Sequence, residues 1–134
     1  MATTATYIEG IGRRKTATAR VRLTPAKANS VTINDKPLAE YFTLESHQKD
    51  VLSILDTPDA GIEFYSITVK VSGSGIAAQA EAIRLGIARA LVKEKKPRRA
   101  VLKPLGFLKR DPRSVERKKF GLLKARRRPQ WSKR

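Results

Sequence analysis

From residue 14 to residue 23 the side chains alternate: Ala17, Ala19, Val21 and Leu23 fall on one side, and Arg14, Thr16, Thr18, Arg20 and Arg22 on the other. A repeat of two marks a strand with one buried face. A first strand is expected over residues 4–12, carrying Tyr7, Ile8 and Ile11, with Arg13-Arg14-Lys15 as the charged turn between the two. Val31-Thr32-Ile33 reads as a short strand and Asn34-Asp35 as a turn pair. Pro37 suits the first position of a short helix running through Tyr41 and Phe42. Leu44, Val51, Leu52 and Leu55 recur at helical spacing over 44–56, and Thr57-Pro58-Asp59-Ala60-Gly61 breaks that helix. Residues 62–71, with Phe64, Ile67, Val69 and Val71, form the best strand in the chain.

The longest helix is expected over about 76–94. There Ile76, Ala80, Ile83, Ile87 and Ala90 make one apolar stripe at intervals of four and three. Ala77, Ala78, Ala82, Ala88 and Gly86 keep the helix thin enough to lie close on a sheet, and Glu81 and Arg84 are placed to pair on its wet face. The order of elements predicts an α+β two-layer sandwich.

Beyond Pro97 the periodicity stops. Val101, Leu102, Leu105, Phe107 and Leu108 are apolar but irregular, as in a segment pinned across a domain. Asp111-Pro112 resembles an N-cap and first-turn proline, so a short helix over 112–119 is expected, with Gly121 as a break. Residues 1–96 are thus read as a globular domain and 97–134 as an extended C-terminal extension. Stretched out, residues 120–134 reach about 50 Å, against a radius of gyration of about 12 Å for the body.

Charge sharpens this division. The 134-residue chain carries 29 Lys and Arg against 12 Asp and Glu, a net +17. Residues 95–134 hold 17 of the cations and two of the acids, whereas residues 1–94 hold twelve and ten. A nearly neutral body with a basic arm points to nucleic acid or an anionic membrane. The end of the arm, from Lys124 through Arg126, Arg127 and Arg128 to Trp131, Ser132, Lys133 and Arg134, cannot fold into a core. Like charges keep it extended until a polyanion neutralises it. Arginine's planar fork matches phosphate oxygens in pairs and stacks on flat rings.

Other chemistry is sparse. Cysteine is absent, which removes disulfides and thiolate sites. No apolar run approaches the length of a membrane span, and residues 1–10 lack a secretory signal. The chain is expected in the cytoplasm, with an organellar origin left open. Gly73-Ser74-Gly75-Ile76-Ala77-Ala78 matches a dinucleotide fingerprint in spacing. No second strand with a ribose-binding acid follows it, so close helix–sheet packing is the better reading, with an RNA phosphate on these amides as an intermediate one. The single His47 has no partners at metal-ligand or catalytic spacing and is read as a helix-surface residue. No cofactor, metal or catalytic residue is expected. Trp131 has no apolar partner within residues 126–134, so stacking on a base or ribose is its expected role.

Four stretches resemble a known family. They are Gly10-Ile11-Gly12-Arg13-Arg14-Lys15-Thr16-Ala17, the run from Gln79 to Leu91 (QAEAIRLGIARAL), the run from Arg110 to Lys119 (RDPRSVERKK), and Gln130-Trp131-Ser132-Lys133-Arg134. In this order they are similar to the small-subunit ribosomal protein nine family, bacterial type. Ser74 and Ala78 stand where that family often has glycine, and Trp131 where Phe or Tyr is more usual.

The resemblance implies a mainly antiparallel sheet with helices on one face, like domain two of ribosomal protein five, with a left-handed β-α-β connection. It also implies a structural, non-enzymatic role in the small ribosomal subunit, bound to the 3′-domain (head) rRNA beside neighbouring head proteins. On this reading Arg13, Arg14, Lys15, Arg20 and Arg22 grip rRNA from the body. Arg98, Arg99, Lys103, Lys109, Arg110, Arg113, Arg117, Lys118, Lys119, Lys124, Arg126, Arg127 and Arg128 neutralise rRNA phosphates along the extension. Trp131, Ser132, Lys133 and Arg134 meet peptidyl-site tRNA. Neither a membrane nor a small-molecule substrate is expected. The leading rival is a DNA-compacting or architectural protein. Weaker rivals are a membrane-surface protein and a nucleotide enzyme.

Overall fold

A computed structural model describes residues 6–58 and 61–133. Residues 4 and 5 of the first expected strand, Asp59 and Ala60 of the helix-breaking turn, and Arg134 at the tip lie outside the described residues. Strands β1 (Ile8–Arg14), β2 (Ala17–Pro25), β3 (Ser30–Ile33), β4 (Lys36–Pro37) and β5 (Tyr65–Ser72) form one sheet in the order β1-β2-β5-β3-β4. Its neighbours are antiparallel except β3 and β5, which run parallel. Between that pair the chain passes through helices α1 (Leu38–Tyr41) and α2 (Glu45–Leu52). Helix α3 (Ile76–Glu94) follows β5, and a short α4 (Arg98–Leu102) follows α3. The mixed α+β class and the mostly antiparallel sheet agree with the sequence reading.

The helices cover one sheet face. Ala17, Ala19, Val21 and Leu23 of β2 and Tyr65, Ile67, Val69 and Val71 of β5 are buried there with Ile83, Ile87 and Leu91 of α3. The expected alternation in β2 therefore holds. In β5 the inward residue at the start is Tyr65, and Phe64 is exposed.

Helix α3 lies across β1 and β2 at unusually close range, and small residues on both sides permit it. A Cβ added at Gly12 would fall 1.7 Å from the Ala82 carbonyl oxygen, and one at Gly10 would fall 2.4 Å from that of Gly86. Ala78, Ala82, Gly86 and Ala88 are buried as the thin-helix pattern requires, whereas Ala77 is exposed.

Three local expectations are corrected. The β1–β2 turn is Lys15-Thr16, not Arg13-Arg14-Lys15, because β1 runs on to Arg14 and pairs it with Ala17. Directly opposed residues share a sheet face. Arg14 therefore points with Ala17 toward α3 and away from Thr18 and Arg20. A register shift of one residue reverses every side chain in this way.

Residues 112–119 form no helix. The Arg113 amide does donate to Asp111 Oδ1 at 3.0 Å, as in an N-cap. A cap contributes only about 1 kcal/mol, and nucleating a helix that buries no face costs more. Val115, the one large apolar residue there, is 89% exposed.

Glu81 and Arg84 do not pair with each other. Glu81 takes Arg14, and Arg84 lies over the Phe107 ring, 5.8 Å from its centroid.

Packing also continues past Pro97. Leu102 is fully buried, and Val101, Phe107 and Leu108 pack against the core from its edge, while Leu105 stays exposed.

Candidate nucleic-acid interface

The uncovered sheet face is polar and cationic. The register sets Ile11, Arg20 and Lys70 in one row across β1, β2 and β5, and Arg13, Thr18 and Ser72 in the next. Arg20 and Lys70 are opposed on neighbouring strands. Like charges so placed destabilise a sheet unless an anion lies near. Glu9 supplies part of that charge, lying 2.8 Å from Arg20 and 3.7 Å from Arg22. The Arg22 guanidinium also lies 4.5 Å from the Tyr7 ring centroid. Arg13 and Lys15 are exposed, Lys15 at a positive φ of 51° in the tight turn. The sequence reading missed Lys70. The alternation within β5, which puts it beside Thr68, was the available signal.

Two arginines expected on the RNA surface are interior groups instead. Arg98 is 3% exposed. Its guanidinium donates to Glu94 Oε2 at 2.7 Å, the Gly61 carbonyl at 3.1 Å, the Tyr65 hydroxyl oxygen at 3.2 Å and the Leu91 carbonyl at 3.3 Å. The Tyr65 hydroxyl donates in turn to Glu94. Burial pushes the Glu94 carboxyl up, but hydrogen bonds from Tyr65 and Arg98 outweigh it and hold Glu94 below its ordinary value. Burial and the Glu94 partner raise the Tyr65 phenol. Arg98 therefore ties α4 to α3 and β5, which removes it from the accessible cations.

Arg14, carried inward by the register described above, donates from Nε to Glu81 Oε2 at 2.5 Å and from a terminal nitrogen to the Arg113 carbonyl. Asp111 lies 3.5 Å away, and Asp111 also grips Arg113 at 2.8 Å. The Arg113 contacts hold the Asp111 carboxyl far below the usual carboxylate range. Residues 111–113 are thus clamped to the body, and Arg110 reaches the Lys15 carbonyl at 3.5 Å. The root of the extension has a fixed position, and Arg14 and Arg113 spend their charge holding it.

Past this clamp the cations face outward. Arg99, Lys103 and Lys109 are exposed on the way to the clamp, and Arg117 and Lys118 just beyond it. Glu116 gathers Lys119 and Arg126, the latter at 2.8 Å, and these two hold its carboxyl below the ordinary value. The Leu123 amide donates to the Arg127 carbonyl at 2.8 Å, so residues 119–127 make a loop rather than a straight arm. Lys124, Arg127 and Arg128 project from it, followed by Ser132, Lys133 and a Trp131 that is 82% exposed. Phe120 is also exposed.

The Gly-Ser-Gly segment has a packing role. Gly73 sits at φ 85° with its α-carbon against Thr16, where a side chain would strike the backbone. His47 is half-buried in α2, edge-on to Phe42 at 6.0 Å. Among the described residues no group of His, Asp and Glu is arranged to hold a metal ion, and no helix is long and apolar enough to cross a membrane.

Comparison with known proteins gives a consistent result. The family model for ribosomal protein S9/S16 matches residues 12–134. Small ribosomal subunit protein uS9 of Synechococcus sp. strain JA-2-3B'a(2-13) is 49% identical over 128 residues, covering 93% of this chain and 91% of its own. That of Synechococcus sp. strain JA-3-3Ab is also 49% identical, covering 93% and 90%. The matched span runs from Gly12 under α3 through the clamp residues to the basic C-terminal run, and the chain belongs to the ribosomal protein S9/S16 family.

Proposed function

We propose that this protein is a structural constituent of the small ribosomal subunit. Its body and extension bind the 3′-domain (head) rRNA, and its tip, from Trp131 to Arg134, touches peptidyl-site tRNA. The observation that carries this is how charge is spent. Residues 1–94 set twelve Lys and Arg against ten acids, whereas residues 115–134 hold nine Lys and Arg against the single acid Glu116. Such a surplus, exposed and interleaved with aromatic faces, fits a phosphate backbone with unstacked bases. Family membership and the names of the relatives, both small ribosomal subunit proteins, point the same way. The partners on this reading are rRNA, peptidyl-site tRNA and neighbouring head proteins, and the setting is the cytoplasmic ribosome.

Crosslinking in cells followed by sequencing of the bound RNA tests the rRNA part. Recovery of head-domain rRNA is expected, and recovery of bulk DNA instead would favour an architectural protein. For the tip, subunits carrying a chain that lacks residues 132–134 should assemble normally. They should bind peptidyl-site tRNA at least about tenfold more weakly at matched salt, since each charge-assisted contact contributes roughly 1.5–3 kcal/mol when desolvated. Unchanged tRNA affinity would remove the tip from the proposal.

A further inference from the structure

A cleft of about 180 Å³ opens where the β1–β2 hairpin, α3 and residues 106–113 meet. Its acids are already engaged: Glu81 by Arg14, and Asp111 by Arg113 and Arg14. Arg84 was expected to use Glu81, and loses it to Arg14. It lines this cleft together with Lys109 and Arg13. Among the described residues none of these three has an acid within ion-pair distance. Phe107 and Leu85 form the apolar part of the wall, and the Phe107 ring lies under the Arg84 guanidinium.

Three cations lining one cleft, whose two acids are held by Arg14 and Arg113, repel one another. An oxyanion relieves it. The Arg84 guanidinium, 5.8 Å from the Phe107 ring centroid, presents a planar fork that matches two oxygens of one phosphate. A volume of about 180 Å³ accommodates a phosphate group.

We infer that this cleft is a phosphate subsite in which Arg84 and Lys109, with Arg13 at the rim, hold one backbone phosphate of the RNA. The inference rests on the rRNA-binding reading above and adds Arg84 to it. Position favours a backbone phosphate over a free ion. The cleft sits at the clamped root of the extension, where a strand followed by the basic arm passes the body.

The test uses the full chain and a transcript of the small-subunit rRNA 3′ domain, with affinity measured across a range of KCl. Arg84→Gln and the exposed-site variant Lys109→Gln are compared with wild type and with Lys27→Gln, in the exposed β2–β3 loop at the far end of the hairpin. Each cleft variant is expected to lower the salt slope by about one unit and to weaken binding several-fold at a fixed salt concentration. Lys27→Gln should match wild type. Arg84→Lys, which keeps the charge and loses the fork, should recover only part of the affinity. Cleft variants that overlay wild type at every salt concentration overturn the subsite while leaving rRNA binding intact. Calorimetry with inorganic phosphate at constant ionic strength distinguishes the source. Tight uptake of free phosphate, with an unchanged RNA slope in the variants, overturns the backbone assignment. If wild type itself fails to bind the transcript, the subsite and the rRNA reading fall together.

Discussion

Removing the Arg98 guanidinium strands two buried partners at once, the Glu94 carboxylate and the Tyr65 hydroxyl. Breaking a buried ion pair from one side costs about 3–5 kcal/mol. Arg98→Ala is expected to lose that much in urea denaturation, and a loss under about 1 kcal/mol would contradict the interior role. Arg98→Lys should recover only part of it, because one ammonium cannot reach Glu94, Gly61 and Tyr65 together. The pH dependence follows from the same groups. Glu94, Asp111 and Glu116 all sit below their ordinary values in the folded chain. Their contribution is therefore present above the unfolded carboxylate range, near pH 4, and is lost as acid reaches the lower folded values. Thermal stability should hold from pH 7 to about 5 and decline below about 4, and a flat profile to pH 3 would refute the pairing. Sequence alone could not place Arg14 or Arg98 inside. Their partners lie 67 residues away for Arg14 and, for Tyr65 with Arg98, 33 residues away, distances at which only the fold decides who meets whom.

Helix α4, like the two-residue strand β4, is an element that sequence periodicity did not show. It has five residues, too few for a repeat to emerge, and its one fully buried apolar side chain is Leu102. Leu102→Ala should cost about 2–5 kcal/mol, while Leu105→Ala, at an exposed site, should stay within roughly 0.5 kcal/mol. Equal effects at the two positions would mean that the segment is not docked as described. The longer elements were legible because burial imposes a period on them. β2 and β5 repeat every two residues, and α3 buries Ala80, Ile83, Ile87 and Ala90 of its expected stripe, while Ile76 at its first turn is exposed. Asn34-Asp35 also turned as expected, both residues at positive φ. The turn at Lys15-Thr16 was misplaced because Arg13, Arg14 and Lys15 look alike in the sequence, and only the pairing of Arg14 with Ala17 separates strand from turn. The absent helix over 112–119 has a different cause: a cap without a buried face behind it.

At the scale of the whole molecule, the division of charge was readable from composition, and the clamp that joins the two parts was not. The clamp changes how the extension is to be tested. A cut at Pro97 removes the buried Arg98 and Leu102 and is expected to destabilise the body, which confuses loss of structure with loss of binding. A chain ending after Ser114 keeps α4, Phe107 and the Arg14 contacts to Asp111 and Arg113, while giving up nine Lys and Arg. It should melt within a few degrees of the full chain. The decisive comparison is the salt dependence of binding to the rRNA 3′-domain transcript for these two chains side by side. If the body aims a basic arm whose cations meet phosphates, the shortened chain should bind far more weakly. Its slope should be lower by roughly four units, as about 0.7–0.9 is expected for each phosphate that the arm no longer neutralises. Equal slopes for two equally folded chains would show that the arm carries none of the binding.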